Sequence, residues 1–323
     1  MTIRDLYDFA IERGFAMDPR GEAAIREQMA DLQRDYDGLT GKARTLFDTE
    51  RLRNPFGDTR MLVGDLATEV RRLICGINIA GAEILLADRL RDRGKPVDLV
   101  VGHHTSPLGG GCGSREDIFL GQMGMLTDFG VPEHLADKLL RPAMTVTEQR
   151  SSDFTANQIA AALGVPLMTI HGPADLYLYH EGYRVLREDQ PKTVGEVVEI
   201  SDSWPEVKWL LERGVGTQIA VGDAKNPLGR TYCCFYGGWN PTPEVFEALC
   251  DAGCGTLWVV ATSEALNEVA RKRHVSIVVT PHMPADNLGL NGLFDDAMNR
   301  FGDFDVVETS NYVRVDRRQQ RTA

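Results

Sequence analysis

The pattern of hydrophobic and polar positions divides the chain into two parts. In the first sixty residues, Leu6, Phe9, Ile25 and Met29 recur at helical spacing among many charges, which predicts two or three amphipathic helices. From Met61 onward, short apolar runs alternate with amphipathic stretches. This alternation predicts strands and helices in turn, and therefore an α/β protein.

The predicted strands are short and mostly apolar. They lie at Leu73–Ile79, Val97–Val101, Val165–Ile170, Thr217–Val221, Thr231–Tyr236, Thr256–Val260 and Ser276–Thr280. Helices are predicted near Ala82–Arg93, Asn157–Leu163, Leu176–Arg187, Pro243–Ala252 and Ser263–Lys272. The polar stretch Pro191–Pro205 is interpreted as a turn-rich boundary. The predicted organisation is therefore an N-terminal helical extension (1–56), a first α/β half (57–195) and a second α/β half (196–323), with a frayed tail from Arg317.

A short sequence motif occurs twice, each time after a predicted strand. Residues 171–175 read H-G-P-A-D and residues 282–286 read H-M-P-A-D. A proline in this position ends a strand and can open a helix, and the aspartate then lies where the helix dipole favours a carboxylate. A capped turn explains the Pro and the Asp but not the repeated His, so we expect a function for His171, Asp175, His282 and Asp286.

A third strand end carries two adjacent histidines. His103 and His104 follow the run Asp98-Leu-Val-Val-Gly102. Neighbouring side chains on extended backbone point apart, so this pair suits two metal ions better than one. Ligand sites in open α/β sheets lie beyond the carboxyl ends of the strands. A glycine-rich run at 109–114 follows the pair, and we interpret it as a flexible connection that could act as a flap.

Imidazoles and carboxylates from three strand ends indicate a metal site. Such ligands suit Zn, Fe(II) or Mn, and a bridging carboxylate allows two ions. The six cysteines include no C-x-x-C pair, which argues against a thiolate zinc site and for reduced thiols in a cytoplasm. The N-terminus lacks the apolar core of a signal peptide. A formal charge of −12 argues against binding to nucleic acid or an anionic membrane.

In combination these motifs resemble the Nif three-like family, also called GTP cyclohydrolase I type two-like. The resemblance rests on G-D-T-R-M-L-V-G-D at 57–65, D-L-V-V-G-H-H at 98–104, and the two H-x-P-A-D motifs, and it extends from about Gly57 to the end. It implies two related α/β halves that face each other across a dinuclear site, and a ring-shaped homo-oligomer, often a hexamer. It also implies that Asp175 bridges the metals and that His171 lies nearby. The implied metal ligands are His103, His104, Asp175, His282 and Asp286.

The chain departs from the family pattern at two positions of the site. Asp286 stands where the family usually has Glu, which keeps the same donor atoms on a side chain one methylene shorter. The family's G-[DE]-x-x-H-H stretch corresponds here to a run around Glu264 that contains no histidine. The second departure weakens any transfer of a substrate from the family.

Three functions remain open from the sequence. The first is a metal-dependent hydrolase that acts on a small C–N substrate (a cyclic amide or amidine) or a phosphoester, with His171 or Glu264 as the group that carries protons. The second is a metal-binding protein for storage, delivery or cofactor assembly, without turnover. The third is a scaffold in which the metals only join the two halves, and it predicts unfolding on metal removal. The hydrolase is the preferred hypothesis, with two divalent ions per chain.

Overall fold

The computed structural model describes residues 1–105, 116–150, 153–238 and 240–318, without the side chains of residues 143–150. The glycine-rich run at 109–114 lies outside the described residues. Strands and helices alternate from residue 60 onward, so the predicted α/β class is confirmed. The strands are β1 (Arg60–Val63), β2 (Arg72–Ile79), β3 (Leu99–Thr105), β4 (Leu167–Thr169), β5 (Gln218–Val221), β6 (Thr231–Cys234), β7 (Thr256–Val259), β8 (Ser276–Val279) and β9 (Asp305–Glu308).

The helices include all those that the hydrophobic pattern predicts. Others form where no helix was predicted, notably before and after residue 130, and around residue 200, where turns were expected. The helices are α1 (Ile3–Met17), α2 (Glu22–Gly38), α3 (Gly41–Leu46), α4 (Gly81–Asp92), α5 (Glu116–Asp128), α6 (Glu133–Arg150), α7 (Thr155–Leu163), α8 (Gly172–Arg184), α9 (Val194–Ser203), α10 (Pro205–Leu211), α11 (Pro243–Asp251), α12 (Glu264–Arg273) and α13 (His282–Phe301).

The strands of the described residues form two sheets with the same connectivity. The first has the order β1-β4-β3-β2-β9 and the second has the order β5-β8-β7-β6. In the first sheet β1 pairs antiparallel with β4, and in the second β5 pairs antiparallel with β8. The other pairings among β1–β4 and among β5–β8 are parallel. The register also shifts at the same place, between Met61 and Val63 in β1 and between Ile219 and Val221 in β5. The two α/β halves are therefore related in topology, with β9 added to the first sheet.

Helices α8 and α13 lie between the two sheets. Apolar residues of both helices, such as Ala174 and Leu290, pack in the core of the first sheet. Others, such as Leu176 and Leu288, pack with Trp258 and its neighbours from the second sheet. The two helices approach closely at Gly289, where a Cβ atom would lie 2.3 Å from the carbonyl oxygen of Ala174. Because both helices begin with an H-x-P-A-D motif, this packing brings the two motifs together.

The N-terminal segment is helical, as predicted, and it divides into a buried and an exposed part. Helix α1 is closed at its start by Thr2 and Asp5, which bond each other's backbone N–H groups in a capping box. Its apolar face packs with α8 and α13 in the core of the first sheet. Helix α2 buries Ile25, whereas α3 buries none of its residues. The boundaries at 56/57 and 195/196 stay predictions.

One local prediction is wrong, and a second is wrong at its first residue. The stretch Pro191–Pro205, interpreted as turn-rich, contains helix α9, because Thr193 caps its first turn and the buried Val194 and Val197 hold its inner face. The tail predicted to fray from Arg317 is anchored at that residue, whose backbone N–H donates to Asp295 Oδ2 at 2.9 Å and whose guanidinium pairs with the buried Glu206. Residues 319–323 of the tail lie outside the described residues. In the part of the chain that the structure describes, no helix combines the length and the apolar character needed to cross a membrane.

Candidate metal centre

The candidate site begins where β3 and β4 end. The parallel pairing of these strands places His103 and His104, the two residues before the last residue of β3, beside the turn that follows β4. In that turn His171 is the residue before α8, and Pro173 and Asp175 lie in the first turn of the helix. His103, His171 and Asp175 are each at most 3% exposed. The sequence thus buries three polar side chains at one edge of the first sheet.

The three buried side chains form a compact group. His103 Nε2 lies 3.1 Å from Asp175 Oδ1, and His171 Nδ1 lies 3.4 Å from Asp175 Oδ2. The two imidazoles stack with ring centroids 4.2 Å apart and planes inclined by 25°. One ligand atom from each residue lies within 4.8 Å of the others. This is a group of two histidines and one aspartate that could bind a metal ion.

The second H-x-P-A-D motif contributes from the other side. Asp286, in α13, is 4% exposed, and its Oδ1 atom lies 3.9 Å from His103 Nε2. His282, at the start of the same helix, has Nε2 at 3.3 Å from Asp286 Oδ2 and a side chain that is 38% exposed. His103 therefore lies between the two aspartates of the repeated motif. The motif's two copies converge on one site, as their common placement after a strand predicts.

The polar atoms of the site fit a divalent cation. Asp286 Oδ2 and His103 Nδ1 are buried, and neither has a hydrogen-bond partner among the described residues. Buried polar atoms without partners are rare and costly, so each requires an explanation such as an ion or water. Burial raises the pKa of Asp286, although His103 and His282 act to lower it. A cation would stabilise the ionised carboxylate that burial disfavours, and imidazole with carboxylate is a donor set for Zn, Fe or Mn.

His104 lies beside this group without joining its closest contacts. Its ring centroid is 5.5 Å from that of His103 and 5.7 Å from that of His171. It is less buried than His103, as alternation along an extended strand requires. Its predicted role as a ligand stays a prediction.

Glu264 has a different environment from the histidines. It lies in the first turn of α12, after the capping residue Ser263, and its side chain is 67% exposed. Its carboxylate accepts hydrogen bonds from Arg271 at 2.6 Å and Asn267 at 3.4 Å, and the bond from Arg271 lowers its pKa. These contacts explain Glu264 as a surface residue that starts a helix. The structure does not bring it together with the histidines, and its catalytic role stays a prediction.

Sequence reasoning missed two parts of the site. Asp58 is 1% exposed, and its Oδ2 atom lies 2.9 Å from His171 Nδ1. Gly237, in the loop after β6, donates its backbone N–H to Asp175 Oδ2 at 2.7 Å. The following residue, Gly238, has a φ of 57°, and a Cβ there would lie 3.0 Å from His171 Nε2. Asp58 belongs to the G-D-T-R run that carries the family resemblance, but a loop contact from the other half leaves no local pattern in the sequence.

Comparison with solved structures identifies the fold. A NIF3 superfamily protein from Sphaerobacter thermophilus matches with a TM-score of 0.67 and 22% identity, over 82% of this chain and 94% of that chain. Reduced HcgD from Methanocaldococcus jannaschii matches with a TM-score of 0.49 and 11% identity, over 82% and 94%. The protein ybgI, of unknown function, matches with a TM-score of 0.45 and 14% identity, over 88% and 96%.

Comparisons of the sequence itself give no further assignment. No family model matches the chain, and no curated protein matches it significantly. The assignment therefore rests on the structure, in which the similarity to the Sphaerobacter thermophilus protein extends over nearly all of that chain. The chain has the fold of the NIF3 superfamily, as its resemblance to the Nif three-like family implies.

Proposed function

We propose that the protein is a hydrolase that uses two divalent metal ions to act on a small molecule. The observation that carries this proposal is the convergence of His103, His171 and Asp175 with Asp286, whose buried Oδ2 atom has no hydrogen-bond partner among the described residues. The expected ligands are His103, His104, Asp175, His282 and Asp286. Asp175 would hold both ions, as the resemblance to the Nif three-like family implies.

The chemistry needs both the metals and the surrounding side chains. Divalent ions bound here would lower the pKa of water toward neutrality and polarise a carbonyl, imine or phosphoryl oxygen. The chain's own part is to hold the ligands rigidly, since His103 and Asp175 are fixed by a strand and by a helix start. His171 stacks on His103 and is the group that we expect to accept and return a proton. Gly237, in the loop after β6, donates its backbone N–H to Asp175 Oδ2 and so helps to hold this carboxylate in place.

Two substrate classes are consistent with this chemistry. Hydrolysis of a cyclic amide or amidine and hydrolysis of a phosphoester use the same water and the same oxygen polarisation. We therefore propose either reaction, carried out by a homo-oligomer in the cytoplasm. A metal-binding protein without turnover is the alternative, and the absence of a histidine around Glu264 favours it.

Metal content is the first test. We would measure metal per chain by inductively coupled plasma mass spectrometry in the wild type, His103→Ala and Asp175→Ala, after supplementation with Zn, Mn or Fe(II) and removal of excess. We expect close to two metals per chain in the wild type and a clear loss in both variants. The matched control is His134→Ala, because His134 is an exposed histidine on α6. An empty wild type, or an equal loss in the control, contradicts the metal site.

Turnover then separates the two candidate functions. The loaded wild type would be assayed against cyclic amides, cyclic amidines and phosphoesters, with Asp175→Ala as the inactive reference. We expect consumption of at least one class that disappears in Asp175→Ala and persists in His134→Ala. Two bound metals with no consumption in any class would favour storage or delivery instead.

A further inference from the structure

After strand β9 the chain runs along helix α13. In this stretch, residues 309–317, side chains of the helix bond the backbone, and we call it the C-terminal segment. Asn287 donates its side-chain amide to the carbonyl of Asn311 at 2.8 Å and accepts the N–H of Val313 at 3.3 Å. Asn291 repeats this pattern two residues further along, with a donated bond of 3.1 Å and an accepted bond of 3.2 Å. The helix thus binds the segment at alternate residues.

The spacing of the helix and the segment explains this pattern. Four residues of a helix rise about 6 Å, and two residues of extended chain span about 6.6 Å. Side chains one turn apart on α13 therefore meet every second residue of the segment. Asp295, one turn after Asn291, accepts the backbone N–H of Arg317 at 2.9 Å. Asn287, Asn291 and Asp295 are each at most 1% exposed, so the segment supplies partners that burial makes necessary.

The start of the segment is bonded to the end of β2. Ser310 Oγ donates to the backbone carbonyl of Asn78 at 2.6 Å and accepts the N–H of the same residue at 3.2 Å. The carbonyl of Ser310 accepts the N–H of Ile77 at 3.1 Å. A Cβ atom at Gly76 would lie 2.9 Å from that of Ser310, so a larger residue there would crowd the segment.

Both ends of this connection adjoin the candidate metal centre. Asn78 pairs in register with His104 of β3, and its Nδ2 atom lies 3.5 Å from Sδ of Met283 in the second H-x-P-A-D motif. Asn287 directly follows Asp286 in α13. The C-terminal segment therefore joins the first sheet to the helix that carries the second motif.

The turn between these two contacts has an unusual backbone conformation. Ser310 has a φ of 45° and Asn311 a φ of 65°, in the left-handed region that residues other than glycine rarely adopt. Such residues persist where surrounding contacts hold them, and they are concentrated at functional sites. Here the contacts are those to Asn78 and Asn287. The turn is therefore held by the two elements that it joins.

We propose that Ser310 and Asn287 are positioning residues through which the C-terminal segment holds the start of α13 against the end of β2. In this arrangement Asp286 Oδ1 keeps its place 3.9 Å from His103 Nε2. The consequence for metal binding rests on the proposed function. The connection itself does not, because the chain alone makes it.

Two glycine substitutions separate the hydroxyl contact from the backbone conformation. Ser310→Gly relieves the left-handed backbone and removes the hydroxyl that bonds Asn78. Asn311→Gly relieves the backbone equally, but it truncates an exposed residue and keeps the carbonyl that bonds Asn287. Asn311→Gly is therefore the matched control. Ser310→Ala is a second test variant, which removes the hydroxyl and keeps the Cβ atom.

Hydrogen exchange of the metal-free protein tests the connection. After chelation, we would measure exchange of the amides of residues 286–291 by mass spectrometry. We expect it to be about fivefold faster in both Ser310 variants, as the loss of a net hydrogen bond predicts, and unchanged in Asn311→Gly. Strand β6 is the internal reference and should not change. Unchanged exchange in both Ser310 variants, or equal acceleration in Asn311→Gly, overturns the proposal.

The wild type alone gives an independent result. The N–H of Asn78, which donates to Ser310 Oγ, should exchange as slowly as the neighbouring amides of β2 when ¹H–¹⁵N spectra are followed in deuterium oxide. Exchange of this amide at the rate of an exposed one overturns the hydroxyl contact, without any variant having to fold.

Cobalt binding tests the consequence for Asp286. Co²⁺ would be titrated into each metal-free protein and followed by its visible absorption, which reports the geometry of its ligands. We expect both Ser310 variants to bind Co²⁺ with about tenfold lower affinity and an altered spectrum, since residues that orient metal ligands have effects of this size. Asn311→Gly should match the wild type. Faster exchange with unaltered cobalt binding in the Ser310 variants overturns the positioning of Asp286.

A failure of the proposed function would give a different result. A wild type that binds no Co²⁺ contradicts the metal site, whereas the expected exchange pattern in the same protein supports the connection between β2 and α13. A wild type that binds Co²⁺, together with normal exchange in both Ser310 variants, supports the metal site and overturns the role of the C-terminal segment.

Discussion

Asp175 and Asp286 occupy the same place in the two H-x-P-A-D motifs and face the same atom, His103 Nε2, at 3.1 and 3.9 Å. Two carboxylates around one imidazole concentrate negative charge in a buried space. Such an arrangement is unfavourable in the absence of a cation and favourable in its presence. The first prediction follows from this relationship.

Replacing Asp286 with Asn should stabilise the metal-free protein. Burial raises the pKa of Asp286 in the folded state above its value in the unfolded chain. The folded wild type therefore holds its proton more tightly, and the stability that this provides at low pH is lost as the pH rises through the folded-state pKa. We expect Asp286→Asn to unfold a few degrees higher than the wild type at pH 8 and to match it more closely near pH 4.

The measurement is thermal unfolding by circular dichroism after chelation, across that pH range. Asp35→Asn, an exposed aspartate of α2, is the control and should follow the wild type at every pH. With metal present the order should reverse, because Asn lacks the charged donor. If metal-free Asp286→Asn is less stable than the wild type at pH 8, the buried Asp286 carboxylate does not destabilise the metal-free fold, and the prediction is wrong.

A methyl group at residue 238 should impair the site more than the fold. Gly238 has a φ of 57°, and its Cβ would lie 3.0 Å from His171 Nε2. Gly164 provides a matched control, since its φ is 63° and a Cβ there meets nothing within 4 Å. Alanine at either position should cost about 1 kcal/mol of stability because of the left-handed backbone.

Only Gly238→Ala should also weaken metal binding, which isothermal titration with Zn²⁺ would measure. The reason is that the methyl group displaces His171 from its stacked position on His103. Equal affinities in the Gly238 and Gly164 variants would show that the loop does not constrain the site.

The N-terminal extension should contribute measurably to stability through one buried ion pair. Arg51 contacts Asp117 with Nε to Oδ2 at 2.8 Å, and the two side chains are 14% and 3% exposed. Arg51→Met leaves the buried Asp117 charge without this partner, and losing one member of such a pair typically costs about 3–5 kcal/mol. Chemical denaturation would measure the loss. Arg71→Met, in a pair that is largely exposed to solvent, should change stability by less than about 1 kcal/mol.

Metal removal should leave the fold intact. Helices α8 and α13 are held between the sheets by apolar packing. Metal binding should then add stability only by mass action, about 2.7 kcal/mol at a free concentration of 100 times Kd. Far-UV circular dichroism before and after chelation is the measurement. Loss of the helical signal on chelation would instead support a scaffold in which metals join the halves.

The sequence predicts the architecture well where the signal is local. The apolar runs from Leu73 to Thr280 coincide with strands, because a buried parallel strand needs a continuous hydrophobic stretch. The repeated H-x-P-A-D also predicts correctly that a helix starts at each copy, whereas the shared function of the two copies stays a prediction. The interpretation of Pro191–Pro205 as turn-rich is wrong around Val194. Polar residues on the exposed face of α9 make the composition of this helix similar to that of a turn.

The missing parts of the site depend on contacts between distant segments. Asp58 and His171 are 113 positions apart, and their contact arises only when the turn before β1 packs on the start of α8. Gly237 reaches Asp175 from the second sheet. No periodicity encodes such contacts. In contrast, the equivalent V-G-D runs at 63–65 and 221–223, at the ends of β1 and β5, could have disclosed the relation between the halves from the sequence.

The matching strand orders β1-β4-β3-β2 and β5-β8-β7-β6, each leading into an H-x-P-A-D helix, are what duplication and fusion of one ancestral half would leave behind. In a dimer of such halves every ligand would occur twice about a two-fold axis, and any mutation would alter both sides of the site at once. Fusion removes that constraint. It allows one copy to bury His171 while the other leaves the side chain of His282 38% exposed, so that two inherited copies of one imidazole can evolve different tasks.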